Sequence, residues 1–266
     1  MKRALASAVF CLGLVAAPLD GQAASGTAAV AHLTVPQAAA FSKQVERELA
    51  GRGARVAMVF RSGRPRADLP PGLGYTHGAF WVYQTIQAED GRTLQGYAVY
   101  NLYQGDGETR PVTRSYLAQD FPLDFIRGSA IDEVAVIVPT PEMQRRLMGL
   151  IGGQTYAGLH NPSYSLIANP LATKHQNCNS FMLDVVAAAA WETSDPRQIR
   201  ANLAAHFKPS PIKVGALTRA FGPLADPRLK TDDQGPGLVT AAYESMAAFM
   251  AQNQLSQGAF TIFRKP

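Results

Sequence analysis

Cysteine is nearly absent: the 266 residues hold two, Cys11 and Cys178. Charge is sparse too, at 17% Asp, Glu, Lys and Arg with a net of +5. No long Lys/Arg run or basic-aromatic stripe accompanies that mild excess, and Arg61, Arg64 and Arg66 are its densest cluster. Nucleic acid is therefore excluded as the expected partner. The one long apolar run, Ala4 to Ala17, is too short for a confident membrane span. Internal repeats and low-complexity tracts are missing, so a repeat array is excluded. A disulfide framework is excluded as well, which leaves apolar burial to hold the fold.

The N-terminus has the layout of a secretory signal: Lys2 and Arg3, the apolar run, then small residues at Gly21-Gln22-Ala23-Ala24. Residues 1–24 read as a signal peptide cut near Ala23 or Ala24, with an uncleaved anchor as the alternative. The mature chain is then periplasmic or secreted, with no stable membrane span. Cleavage removes Cys11 and leaves Cys178 alone. An unpaired cysteine in an exported chain marks a reactive or partner-seeking thiol.

Residues 25–33 are small and polar, a flexible mature N-terminus. Residues 34–266 read as one α+β domain, with 195–266 as a C-terminal elaboration carrying further helices. Thr34 and Pro36 open a helix whose Phe41, Val45 and Leu49 share one face, and Gly51 and Gly53 end it. Val56, Met58 and Phe60 mark a strand, and Arg61 to Gly74 a loop. His77 to Gln87 and Gln95 to Tyr103 form a hairpin about Asp90-Gly91. Gly105 to Asp120 reads as loop. Val134 to Val138 is a buried central strand, followed by a helix from Thr140 to Leu150. The stretch from Gln154 to Asn177 is irregular. Prolines 209, 211, 223, 227 and 236 punctuate a later stretch, Leu238 to Gln252 is helical, and Ala259 to Phe263 is a final strand.

The chain is organised around His175-Gln176-Asn177-Cys178-Asn179-Ser180. Met182, Val185, Val186 and Ala189 repeat at helical spacing, and Asn177 is a good N-cap. Cys178 then lies in the first turn, where free N–H groups and the helix dipole favour a thiolate. The plain alternative is a small buried hydrophobe. A nucleophilic cysteine needs a base. His77 opens the hairpin after a Gly/Pro loop, where a side chain can meet a helix N-terminus, His175 lies three residues before Cys178 and could crowd it, and His160 lies in the irregular loop. His32 and His206 read as surface residues. A two-residue turn at Asp90-Gly91 would set His77 across from Gln104, and a shifted loop would bring Asn101 closer. Either amide could orient the imidazole.

Tyr75-Thr76-His77-Gly78-Ala79-Phe80, followed by Asn177-Cys178-Asn179-Ser180, resembles the circularly permuted branch of the NlpC/P60 papain-like fold. Gly63-Arg64, the Tyr-rich return strand and Tyr164-Ser165-Leu166-Ile167-Ala168-Asn169-Pro170 resemble more specifically the bacterial family called domain of unknown function 2145, over roughly residues 35 to 250. The resemblance implies an antiparallel sheet with the cysteine helix packed on it. It implies Cys178 as nucleophile, His77 as base, Asn101 or Gln104 as third member, and Tyr164 beside the Cys178 N–H as oxyanion donor. The family pattern often has His, Asp or Glu as third member, and an amide stands here instead. The expected activity is a cysteine hydrolase or acyltransferase without cofactor, acting on a cell-wall peptide or a lipid-type small substrate. A non-catalytic envelope module that binds peptide or glycan is the alternative. Metal binding through His175 and Cys178, with His160 or His77, is a third reading with too few ligands.

Overall fold

The structure, a computed structural model, describes residues 31–87, 91–215, 222 and 224–266. The signal segment, most of the expected flexible N-terminus, Asp90 and Pro223 lie outside the described residues.

Helix α1 (Val35–Gly51) starts with a capping box between Thr34 and Gln37 and buries Phe41, Val45 and Leu49. Strand β1 (Val56–Arg61) is buried at every position. Strand β2 is His77–Gln87 and β3 is Thr93–Gln104. Then follow β4 (Ser115–Asp120), α2 (Pro122–Arg127), β5 (Glu133–Pro139), α3 (Pro141–Ile151) and the short α4 (Gln154–Gly158). Helix α5 is Cys178–Trp191 and α6 is Pro196–His206. A two-residue pair, β6 (Ser210–Pro211) and β7 (Val239–Thr240), precedes α7 (Tyr243–Gln252) and β8 (Ser256–Phe263).

The six long strands form one antiparallel sheet in the order β4-β3-β2-β1-β5-β8. Strand alternation sorts the core into two layers. Met58, Phe60, Phe80, Val82 and Ile137 face α3, α5 and α7. Ala57, Val59, Ala79, Trp81, Val99 and Val136 face α1 and α2. The chain is thus a mixed α+β fold with helices on both faces of the sheet. The apolar run 134–138 lies between β1 and β8, as its lack of alternation predicts.

Three expectations need correction. The end of the segment read as loop, 105–120, forms the edge strand β4, whose half-exposed positions give only a weak alternation. The helix expected from Leu238 begins at Tyr243, because residues 239–240 pair with Ser210 and Pro211 first. The final strand is longer than expected and starts at Ser256. Residues 195–266 supply this edge strand and, through α7, part of the core against α5.

Candidate active site

Asn177 starts α5 with a reciprocal cap: its Oδ1 accepts from Ser180 N at 2.9 Å, and Ser180 Oγ accepts from Asn177 N at 2.8 Å. Every residue from Cys178 to Ala189 is buried, so the helix is held by packing all round. Its first turn is also tied to the C-terminal segment, since Asn179 Nδ2 donates to Ala241 O at 3.2 Å. Gly78 lets β2 come close beneath it. A Cβ there would meet Asn179 Oδ1, Met182 Sδ and the Phe60 ring, each at 2.8 Å. His77-Gly78 therefore pairs a chemical residue with the one residue type that admits the helix start.

Cys178 is buried, and its Sγ lies 3.9 Å from Thr76 O and 3.8 Å from Asn179 Oδ1. Burial pushes the thiol up, against the opposing pull of the Gly78 and Asn179 N–H groups and of the Arg61 cation. The expectation that the helix start alone favours a thiolate is thus reversed by desolvation. His77 is buried as well, and burial, with Arg61 next, lowers its basicity to about 3. Both shifts run toward the uncharged forms, a thiol and a neutral imidazole.

A connected polar network fixes that imidazole. His77 Nε2 lies 3.0 Å from Asn101 Oδ1, and the amide nitrogen of fully buried Asn101 donates to Asp120 Oδ2 at 2.6 Å and to Tyr103 Oη at 3.0 Å. Tyr103 Oη donates to the same Asp120 carboxylate. The carboxylate orients the amide, so Oδ1 must accept and His77 Nε2 carries the proton. Nδ1 is left as the unprotonated nitrogen, and it makes no hydrogen bond among the described residues. The imidazole stacks on Tyr103 at 5.5 Å with ring planes 5° apart and packs on Phe125 at 5.7 Å.

The register explains why Asn101 holds this place and Gln104 does not. Gln87 pairs with Thr93 and Phe80 with Tyr100, one residue off the register of a two-residue Asp90-Gly91 turn. Extended to the strand ends, this sets His77 level with Tyr103, with Asn101 on the same side of the sheet. Gln104 falls on the other side and accepts from Arg228 Nη1 at 3.4 Å. Gln104 is therefore corrected from a candidate orienter to a residue of the cavity wall.

At the sheet end lies a cavity of about 440 Å³ that both Cys178 and His77 line. No hydrogen bond joins Sγ to His77 among the described residues. Gly78 faces α5, and His77 belongs to the opposite row of β2, so its imidazole sits among Asn101, Tyr103 and Phe125 on the α2 side of the sheet. Cys178 starts the helix on the other side, and the two residues share the cavity lining at the strand end. Tyr164 lines the same cavity, and burial holds its phenol protonated well above the ordinary range. Its hydroxyl has no partner among the described residues and is free to donate.

Other candidates lie elsewhere. His175 is held between Ser163 Oγ at 2.8 Å and Asp232 Oδ1 at 2.7 Å, and His160 sits on Ser115 Oγ at 2.9 Å. Neither lines the Cys178 cavity, and no group of three or more His, Cys, Asp or Glu among the described residues is arranged to hold a metal. Among the described residues no helix is long and apolar enough to cross a membrane. Sequence reasoning missed Tyr103 as a network member and Asp120 altogether, because Asp120 lies in the segment read as loop. It also dismissed the Arg61-Arg64 cluster, which lines the cavity.

No curated protein and no solved structure is matched by the chain. A family model does match, over residues 48–250, a span that takes in Arg61, His77, Asn101, Asp120, Tyr164 and Cys178. The chain belongs to the bacterial family described as "Uncharacterized protein conserved in bacteria (DUF2145)".

Proposed function

We propose that the protein is an exported cysteine hydrolase or acyltransferase acting on amide or ester bonds of envelope components, with a papain-like arrangement of its groups. The observation that carries this reading is the tautomer of His77. Asn101, locked by Asp120 and Tyr103, takes the Nε2 proton, which leaves Nδ1 as the unprotonated nitrogen of a residue that lines the same cavity as the only cysteine among the described residues.

In this mechanism the Cys178 proton passes to His77 Nδ1 as Sγ bonds to the substrate carbonyl carbon. The oxyanion takes hydrogen bonds from the Cys178 N–H and the Tyr164 hydroxyl. The C–N or C–O bond then breaks, and the leaving group carries away the proton from His77. Water, or another acceptor, attacks the thioester with His77 again as base and frees Cys178. A neutral resting pair suits this order, because the proton moves only as the sulfur–carbon bond forms. Sγ and Nδ1 must close up when substrate fills the cavity, as catalytic contacts tighten on binding.

The test is hydrolysis of a panel of small amides and esters by the full chain. Cys178→Ala and His77→Ala each abolish turnover on this reading, and unchanged turnover in Cys178→Ala overturns it. One observation favours the second reading, a non-catalytic binding module: the resting thiol has no hydrogen bond to His77. A Cys178 inert to small thiol reagents in the folded protein would support that module.

A further inference from the structure

Arg61, Arg64 and Arg66 form the densest basic cluster, and the fold gives each a different surrounding. Arg66 is paired with Glu133. Arg61, the last residue of β1, is 1% exposed, donates to Gly128 O, and keeps an Nε without any partner. No carboxylate lies within ion-pair distance of it among the described residues. Leaving a buried cation unpaired is costly, which asks for a compensating role.

Arg64 is the third. Its backbone is pinned: Ser62 Oγ donates to Arg64 O at 2.6 Å, and the neighbouring Gly63 N donates to Thr76 Oγ1 at 2.8 Å, next to His77. Arg64 is exposed and lines the Cys178 cavity; its side chain has no hydrogen bond or ion pair among the described residues, and its charge acts on the Asp226 carboxylate of the same wall. Arg228, across the cavity, is taken up by Asp226 through Nε at 2.9 Å and Nη2 at 2.6 Å. The lining thus sets Arg61, Arg64 and Arg228 against two carboxylates, Asp226 and the unpaired Asp68, an excess of one positive charge. The rest of the wall includes Leu69, Leu73, Leu166 and Ile212, which offer no hydrogen bonds from their side chains.

We propose that Arg64 is the specificity-determining residue of this cavity and that the acyl substrate carries an anionic group, such as a carboxylate, near the scissile carbonyl. Arg64 binds that group, and the buried Arg61 adds a fixed positive field behind the reacting atoms. The inference rests on the reading of Cys178 as the reacting group and assigns the charge of its substrate.

The test uses two alkylating probes of nearly equal size, iodoacetate and iodoacetamide. In each, Sγ displaces iodide from the same kind of carbon, so the ratio of the two rates on the Cys178 peptide measures the charge preference of the cavity. Turnover is not required, so a protein that hydrolyses nothing still tests the role of Arg64. The full chain is expected to favour iodoacetate relative to a denatured control. Arg64→Gln should cut that ratio by about fivefold, Arg64→Lys should restore part of it, and raising the salt should erode it in the unaltered chain. A structural lesion would slow both probes alike and leave the ratio in place. A ratio unchanged in Arg64→Gln and insensitive to salt overturns the proposal.

Discussion

Replacing Asn101 by alanine removes the residue that links His77 to Asp120. The change deletes three buried hydrogen bonds: one from His77 Nε2 at 3.0 Å, one to Asp120 at 2.6 Å and one to Tyr103 at 3.0 Å. Asp120 keeps Tyr103, but the imidazole N–H is stranded in a site from which water is largely excluded. Each stranded buried group costs about 1–3 kcal/mol, and the vacated side chain adds a packing loss. The expected destabilisation is therefore about 3–5 kcal/mol, read as a lowered urea midpoint at constant slope. Any turnover falls further, by about a hundredfold, because the imidazole loses its fixed tautomer and aim. Gln104→Ala is the matched control. Gln104 is half-buried and off the network, so its loss costs about 1 kcal/mol or less. A loss below about 1 kcal/mol for Asn101→Ala would refute the network, and equal losses in the two variants would restore Gln104 as a competitor.

Burial lowers His77 to about 3 from 6.5, so between those values the folded chain binds fewer protons than the unfolded one. Its contribution to stability is whole above about pH 6.5 and falls as pH drops towards 3, by roughly 5 kcal/mol at most. His77→Gln should flatten this part of a stability profile. Because burial raises the Cys178 thiol, the iodoacetamide rate should climb through and beyond the ordinary thiol range, with no plateau at low pH. Such a plateau would mean a preformed thiolate. Gly78→Ala forces a methyl against Asn179, Met182 and Phe60 and should cost about 1–3 kcal/mol, with slower alkylation of Cys178 as α5 shifts. Asp232 is held down to about 2 by Lys174 and then by His175. Its modest, solvent-screened contribution is present above the usual carboxylate range and lost as pH falls towards 2, and Asp232→Asn should remove that slope.

What the sequence makes legible follows from local rules. The Asn177 cap, the helical spacing after Cys178 and the unalternating run 134–138 each depend on a few neighbouring residues, and each element forms where those rules place it. The orienter of His77 depends on register, which a single residue of loop length decides, so Asn101 and Gln104 could not be separated before the strands were paired. Asp120 was out of reach for a related reason. It acts through an edge strand whose pairing with β3 is set by the sheet and not by its own pattern. The upward push on the Cys178 thiol also escapes a sequence reading, because the helix start is visible in the residues and the burial that outweighs it is not.

The thioester itself is the most direct measurement. The full chain is mixed with an activated ester such as p-nitrophenyl acetate, quenched at intervals and digested, and the Cys178 peptide is weighed. An acyl group that appears on Cys178 and then decays, and that fails to form or decay normally in His77→Gln, is the expected result. Ester hydrolysis that proceeds without any acyl group on Cys178 would contradict the assignment of that sulfur as the nucleophile.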